Sequence, residues 1–376
     1  LLAAGLLSMT GAANAGYTVS LSDDDKITFG GYIKADLRYT DGNIAAREYW
    51  IGTAGKTAED ITNVRGHVNE TRFNAKYQHG DVTGFIEMDF FGTATTGGAN
   101  ANQQFSNSSN PRLRHAFIKY KNVLVGQTWT TFQNTSALAE AADFGGPLVA
   151  AAFVRQTQLR YTNGGLQLSL ENPETRGGTS GDDSIPDFIA KYTFKGDWGN
   201  ISIAGVARQL TSSSVAAVAA TDAVYTNDVD GNPVLLTPAV TAVSGRDSKT
   251  ESAFGYGIAG RIKTVGKDDF RFQLHAGETG RYVGVAAASD MVGENVEETV
   301  SISVAYRHFW NDDLRSTVFY GNTTTDESDI DNTHWGVNLF KNVTKQLSYG
   351  VEIGNFEMDQ VDADSNYVQL SAKYVL

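Results

Sequence analysis

The stretch Lys26-Ile-Thr-Phe-Gly-Gly-Tyr-Ile-Lys-Ala-Asp-Leu-Arg-Tyr-Thr40 decides the fold. Ile27, Phe29, Ile33, Ala35, Leu37 and Tyr39 share one parity; Thr28, Tyr32, Lys34, Asp36 and Arg38 share the other. Successive side chains of a strand point to opposite faces, so this segment has one apolar and one charged face. The last segment repeats the pattern, with Val368, Leu370, Ala372, Tyr374 and Leu376 against Gln369, Ser371, Lys373 and Val375. A soluble sheet with one wet face also alternates. Here nearly every segment does so, among them Leu166–Glu171, Phe270–Ala276, Val300–Arg307 and Leu347–Ile353. An antiparallel barrel closed in lipid is written this way, apolar outside and polar inside.

Composition agrees. Mean hydropathy is −0.27, too polar for a bundle of membrane helices. No run of about 18 apolar residues follows the first fifteen positions, which excludes a transmembrane helix there. Aromatics make up 11% of the chain, which suits strands and interfacial girdles. Leu1–Leu7 is a short apolar core, and Ala13-Asn-Ala15 is a small-x-small cleavage site. Residues 1–15 therefore read as the remnant of a signal peptide, and 16–376 as a single barrel domain. An exported chain without cysteine does not depend on disulfides.

The connections alternate in length. Short turns fall at Gly80–Thr83, Tyr120–Asn122, Asn163–Gly165, Lys195–Gly199, Gly266–Asp268, Asn311–Asp313 and Lys341–Thr344. Each carries Gly, Asn or Asp, which tolerate turn geometry. Longer stretches lie between them: Asp41–Gly66, Gly92–Asn110, Phe132–Ala152, Asn172–Ser184, Thr211–Thr250, Glu278–Glu297, Thr323–Asp331 and Glu357–Asp364. Up-and-down outer-membrane barrels have short periplasmic turns and long external loops. Fifteen connections predict about sixteen strands, at about 23 residues per strand plus connection.

The formal net charge of −13 is unevenly distributed. Acids gather in loops and turns, at Asp23–Asp25, Asp182 and Asp183, Asp312 and Asp313, and Asp326–Asp331. Basic residues gather on the polar strand faces. The candidates for pore lining or constriction are Lys34, Arg38, Arg72, Lys76, Arg114, Arg160, Arg208, Arg261, Arg271, Arg307 and Arg315. A field inside a low-dielectric tube is focused, and rings of Arg or Lys belong to anion pores. The plainer reading is a solvated face paired with acids such as Asp36, Glu70, Glu87, Asp89 and Glu352. By distance from the short turns, Arg160, Arg261, Arg271, Arg307 and Arg315 belong at the periplasmic mouth. Lys34, Arg38, Arg72 and Lys76 belong higher, as the better constriction candidates. Arg112 and Arg114 share a parity with the lipid-facing Ala116, Ile118 and Tyr120, so they either lie above the lipid or follow a bulge.

Thr135–Pro147 is less polar than the other long loops. It is expected to fold into the barrel and to offer Glu140 and Asp143 opposite the basic wall; the alternative is a loop resting on a neighbouring subunit. No two histidines have metal-pair spacing, and there is no Gly-x-Ser-x-Gly elbow or phosphate loop. Neither an enzyme, a metal, a cofactor nor a nucleic-acid partner is indicated.

Pro111-Arg-Leu-Arg-His-Ala-Phe-Ile-Lys-Tyr120, Leu124-Val-Gly-Gln-Thr-Trp-Thr-Thr-Phe132, Ser136-Ala-Leu138 and Asp143-Phe-Gly-Gly-Pro147 resemble the DcaP-type trimeric porins of Gram-negative outer membranes. Arg155-Gln-Thr-Gln-Leu-Arg-Tyr161 and Pro186-Asp-Phe188 continue the likeness, which is sharp over residues 111–195. The resemblance implies a sixteen-stranded homotrimer in outer-membrane lipid and lipopolysaccharide. It implies passage of small organic anions, particularly dicarboxylates, through an Arg-lined constriction bounded by the third loop, with Glu140 and Asp143 as that loop's acids. The chain departs from the family in lacking heptads before the first strand and in ending on Leu376 rather than an aromatic residue. The expectation is an outer-membrane diffusion porin preferring organic anions. A phosphate-selective or general porin, and a barrel adhesin or structural protein, are the alternatives.

Overall fold

The computed structural model describes residues 16–45, 50, 56–92, 109–144, 146–177, 183–227, 230, 232–284 and 288–376. The signal-peptide reading of residues 1–15, and Gly145 of the expected third loop, lie outside them. The chain runs β1 (Tyr17–Ser20), β2 (Asp25–Ile44), β3 (Lys56–His67), β4 (Arg72–His79), β5 (Val82–Gly92), β6 (Asn110–Tyr120) and β7 (Val123–Trp129). After the third long loop come β8 (Arg155–Asn163), β9 (Leu166–Glu171), β10 (Asp187–Gly196) and β11 (Gly199–Thr211). A small external hairpin, β12 (Val224–Asn227) with β13 (Pro233–Thr237), precedes β14 (Thr250–Lys263) and β15 (Asp269–Gly277). A second, β16 (Met291–Val292) with β17 (Asn295–Val296), precedes β18 (Thr299–Phe309), β19 (Leu314–Thr325), β20 (Asp331–Asn342), β21 (Leu347–Met358) and β22 (Ala363–Val375).

Strand β2 closes the sheet. One edge pairs with β22 from Tyr32↔Val375 to Gly42↔Ser365, and with β1 lower down, from Tyr17↔Phe29 to Ser20↔Lys26. Strands β1 and β22 thus build one barrel strand. The other edge of β2 pairs with β4 up to Tyr32↔Arg72 and with β3 from Asp36↔His67, which is again one interrupted strand. Joining these two collinear pairs turns the 18-stranded main sheet into a closed antiparallel barrel of sixteen strands. Closure leaves no edge with unpaired backbone groups, which lipid would not satisfy.

Burial is inverted relative to a soluble sheet. Phe29, Ile33, Leu37 and Tyr39 are 50, 48, 47 and 44% exposed on the outer wall, whereas Lys34, Asp36 and Arg38 are 5, 5 and 1% exposed inside. The apolar parity therefore faces lipid, and the polar parity builds the interior.

Two local features set the interior. Between β3 and β4 the strand is interrupted at residues 68–71, and Thr71 Oγ1 accepts the Lys34 backbone N–H at 3.1 Å. Gly31 lies opposite this break with φ +132°, and a Cβ there would stand 2.1 Å from the Arg72 carbonyl oxygen. In β6 a bulge resolves the mixed parity of the sequence. Glu87 pairs with His115 but Met88 pairs with Leu113, so Arg114 is the extra residue. Leu113 is 47% exposed outside, while Arg114 and His115 are 0 and 2% exposed inside.

The connections differ in part from the sequence expectation. Strand pairing continues to Ile44 and resumes at Lys56, well inside the expected loop Asp41–Gly66. The last two external connections, between β19 and β20 and between β21 and β22, are as short as periplasmic turns. Low hydrophobicity in those segments reflects polar strand ends above the lipid.

Candidate functional site: the lumen and its inward loop

The third long loop, between β7 and β8, leaves the wall and lines the lumen. Asn134 caps its first turn, accepting from the Ser136 N–H at 3.1 Å. The Asn134 amide donates to Asn200 Oδ1, Ser202 Oγ and the Ala259 carbonyl at 2.9–3.1 Å, which ties the turn to β11 and β14. Arg271 of β15 donates to the Leu138 carbonyl at 2.5 Å. Glu140 receives Arg307 of β18 at 3.0 Å and Arg315 of β19 at 2.7 Å. Glu352 of β21 accepts the backbone N–H groups of Ala142 and Asp143 at 2.6 and 3.3 Å. Lys34 and Gln369 both donate to the Ala142 carbonyl at 2.7 Å, and Asp143 pairs with Arg38. The loop thus follows the inner wall from β11 round to β2.

Its unusual composition now has a cause. Small residues let the backbone lie close against the wall, and Ala137, Ala139, Ala142, Ala150, Ala151 and Ala152 are all buried. Burial opposes ionisation of Glu140, but the hydrogen bonds and charges of Arg315 and Arg307 outweigh it and bring its pKa down to about 2. Glu140 is therefore an anchor.

The expected lining residues occupy several levels. Lys34 pairs with Glu70 and lies 3.4 Å from Asp36. Arg208 pairs with Asp290 and lies 3.3 Å from Asp187, toward the external loops. Arg160 donates to Gln158 at 2.8 Å and to the Trp129 carbonyl. Arg261 lies 3.0 Å from Asp269, which also receives Arg271 and Arg307 at 2.6 Å each. Lys76 is half-buried with no ion pair among the described residues. The division into a mouth group and a constriction group does not describe the contacts: Arg271, Arg307 and Arg315 hold the same loop as Lys34 and Arg38 do. Nor do Glu140 and Asp143 stand across the lumen from the basic wall, because both are paired with it.

A further group gathers under Phe144. Arg72, Arg112 and Arg114 place their guanidinium carbons 5.6, 5.9 and 5.7 Å from that ring's centroid. Arg155 lies 4.6 Å over Trp129, and Arg114 is 5.8 Å from the same ring. Asp89 pairs with Arg112 and Arg114 at 2.7 Å, and Glu87 with Arg114 at 2.8 Å. Arg72 has a carboxylate only at 3.9 Å, from Glu70. Arg155 has no ion pair among the described residues, and its Nη1 is buried without a hydrogen-bond partner. Cations exceed acids in this nest, and the aromatic faces help to hold them.

Sequence reasoning missed Arg155 because it lies on the parity opposite Gln156, Gln158 and Arg160. It also missed a second inward segment. Tyr282, between β15 and β16, is fully buried; its hydroxyl donates to Asp187 at 2.7 Å and accepts from Gln156 at 2.6 Å. Val283 pairs with Ala152 of the third loop as an isolated bridge. Trp50 also turns inward, stacking on Phe356 at 5.1 Å and lying 4.9 Å from the Arg38 guanidinium. Single aromatic residues within polar loops, such as Tyr282 and Trp50, were the available signal.

Among solved structures, the outer membrane channel DcaP of Acinetobacter baumannii superposes with a TM-score of 0.71 at 22% identity, covering 94% of this chain and 99% of that one. The trimer form of OmpT from Vibrio cholerae gives 0.56 at 12% identity, covering 94 and 100%. An anion-selective porin from Comamonas acidovorans gives 0.55 at 10% identity, again covering 94 and 100%. No curated protein sequence matches the chain. The family model described as DcaP outer membrane protein matches residues 4–206, more than half of the sequence. The chain belongs to the DcaP outer membrane protein family, and its barrel is an outer-membrane one.

Proposed function

We propose that this protein is a homotrimeric outer-membrane porin that passes small hydrophilic solutes by diffusion and prefers organic anions such as dicarboxylates. The observation that carries the reading is the basic nest below Phe144. Arg112 and Arg114 pair there with Asp89, and Arg114 also with Glu87, while Arg72 lies beside Phe144 and Arg155, over Trp129, has no ion pair among the described residues. A fixed excess of guanidinium inside a low-dielectric wall raises the local anion concentration and repels cations. Guanidinium forks also match carboxylates in bidentate geometry. The A. baumannii relative is a channel by its description, and a V. cholerae barrel of the same architecture is described as a trimer. No energy source is required, since diffusion through a lined lumen suffices.

Planar-bilayer recording in a salt gradient tests the reading. The reversal potential is expected on the anion-selective side, and Arg72→Ala moves it toward zero, because the carboxylate paired with Arg72 stands 3.9 Å away and leaves most of its charge to the lumen. A cation-selective reversal potential overturns the anion preference, and absence of channels overturns the porin reading. Succinate should reduce the chloride current at lower concentration than inorganic phosphate; the opposite order favours a phosphate-selective porin.

A further inference from the structure

A group of polar side chains stands on the outer wall, not in the lumen, at the periplasmic ends of β18 and β19. Arg307 and Arg315 point inward, so His308 and Ser316, which follow them in sequence, take the outward parity with Tyr306 and Val318. His308 and Ser316 are direct register partners across the two strands. Asp268, on the turn before β15, reaches the same patch. Its Oδ2 accepts from His308 Nδ1 at 2.7 Å and from the Tyr306 hydroxyl at 3.0 Å, and its Oδ1 accepts the Phe309 N–H at 2.8 Å. Trp310 completes the group. Its ring meets the His308 ring edge to face at 4.5 Å, and its Nε1 donates to Ser316 Oγ at 3.1 Å.

Each contact sets a chemical state. Asp268 is an acceptor for His308 and so holds the imidazole proton on Nδ1. Nε2 is left as a base, on a side chain 41% exposed and without a second hydrogen bond among the described residues. Ser316 Oγ accepts from Trp310, and its own proton has no acceptor among the described residues. No hydrogen bond joins Ser316 to His308 in this resting arrangement. Their Cα atoms are register partners at about 5.5 Å, and a nucleophile–base contact commonly closes only when substrate binds. Depth supplies the substrate. Trp310 is 61% exposed, and Trp198, between β10 and β11, is 44% exposed at the same rim. Exposed indoles of a membrane barrel sit where head groups meet acyl chains, which is the level of a phospholipid's ester bonds.

We propose that Ser316, His308, Trp310 and Asp268 form an esterase site that releases acyl chains from glycerophospholipids of the periplasmic leaflet. Ser316 Oγ attacks the ester carbonyl carbon and gives its proton to His308 Nε2. The oxyanion of the tetrahedral intermediate takes the Trp310 N–H that Oγ releases. The bond from that carbon to the glycerol oxygen breaks, the leaving oxygen takes the proton from His308, and the acyl group stays on Ser316. Water then gives a proton to His308 and attacks the acyl-serine. The fatty acid leaves, and the proton returns to Ser316 Oγ. Asp268 is a positioning residue, which keeps the base in one tautomer. A turn and two strands assemble the set, so no Gly-x-Ser-x-Gly elbow announces it in the sequence. The activity lies outside the pore and does not depend on the proposed function.

The experiment uses the full barrel in vesicles of phosphatidylethanolamine and phosphatidylglycerol. It reads fatty-acid release, and separately the serine modified by a fluorophosphonate, located by peptide mass spectrometry. Wild type is expected to release fatty acid and to carry the label on Ser316. Ser316→Ala should lose both, with the heat-modifiable migration and the conductance of wild type. His308→Gln should slow release about 10²–10⁴-fold, and Trp310→Phe about 10²–10³-fold. Asp268→Asn should lower kcat with KM unchanged, since it orients the base and touches no lipid. A wild-type barrel that releases no fatty acid, a label on another serine, or a Ser316→Ala variant as active as wild type each refutes the site.

Discussion

Replacing Glu140 with glutamine tests whether the inward loop is fastened by charge. Arg315 donates to Glu140 through Nε and Nη2 at 2.9 and 2.7 Å, and Arg307 through Nη1 at 3.0 Å. Glutamine keeps the shape and one acceptor but removes the charge. Arg307 retains Asp269, whereas Arg315 retains only Asn342 at 2.9 Å. The loss therefore falls mainly on Arg315, whose side chain is 10% exposed. A mostly buried guanidinium left without its acid costs about 2–3 kcal/mol. That shifts the ratio of fastened to released loop by about 30- to 150-fold. In single-channel recordings, Glu140→Gln should show frequent transitions to a larger conductance and a reversal potential further to the anion side, since two arginines lose their shared acid. A channel as quiet, as narrow and as selective as wild type would refute the charge anchor. Glu140 has a folded pKa of about 2 against an ordinary 4.5, so its contribution is complete above 4.5 and fades as pH falls toward 2. Wild-type conductance noise should be flat from pH 7 to 5 and rise only below that.

Three further outcomes follow from other contacts. Tyr282→Phe removes the hydroxyl shared by Asp187 and Gln156, a loss of about 1–3 kcal/mol, and should speed hydrogen exchange at Phe153, whose N–H bonds the Tyr282 carbonyl. Gly31→Ala places a Cβ 2.1 Å from the Arg72 carbonyl at a backbone angle that side chains rarely adopt, so the heat-modifiable migration of the folded barrel on a denaturing gel should be lost. Excising the external hairpin between Ser212 and Lys249, which are already joined by a backbone hydrogen bond of 2.8 Å, should leave conductance unchanged. If such a variant loses adhesion to cells but not conductance, the adhesin reading has a basis in that hairpin alone.

The barrel was legible because a strand in lipid has one rule, and residues such as Ile27, Phe29 and Leu37 follow it without exception. Strand number followed from the spacing of Gly, Asn and Asp, and the bulge in β6 was already visible as a clash of parity at Arg112 and Arg114. The seam was not legible. Nothing local says that Tyr17–Ser20 completes the strand of Ala363–Val375, since both halves of that statement depend on where the sheet closes. Nor was it legible which arginines the third loop collects. Distance from a turn measures height along the wall, whereas the third loop runs around the wall and collects Arg271, Arg307, Arg315, Lys34 and Arg38 in turn.

The same geometry changes what a basic interior means. Polar parity counts charges, but function depends on which of them remain uncommitted after the loop has docked. Glu140 and Asp143 neutralise arginines on β18, β19 and β2 and so convert part of the basic face into scaffold. Lys34 is likewise committed to Glu70. Among the cations that no acid pairs closely in the described residues are Arg155 beside Trp129, Arg72 with its distant Glu70, and Lys263 at the lower rim. These stand at two levels of the lumen, one at the inward loop and one toward the periplasm. Under the proposed function, a passing anion would meet these two sets of cations in turn. Two sites of moderate strength favour entry without trapping, which a single strong ring of arginines would not.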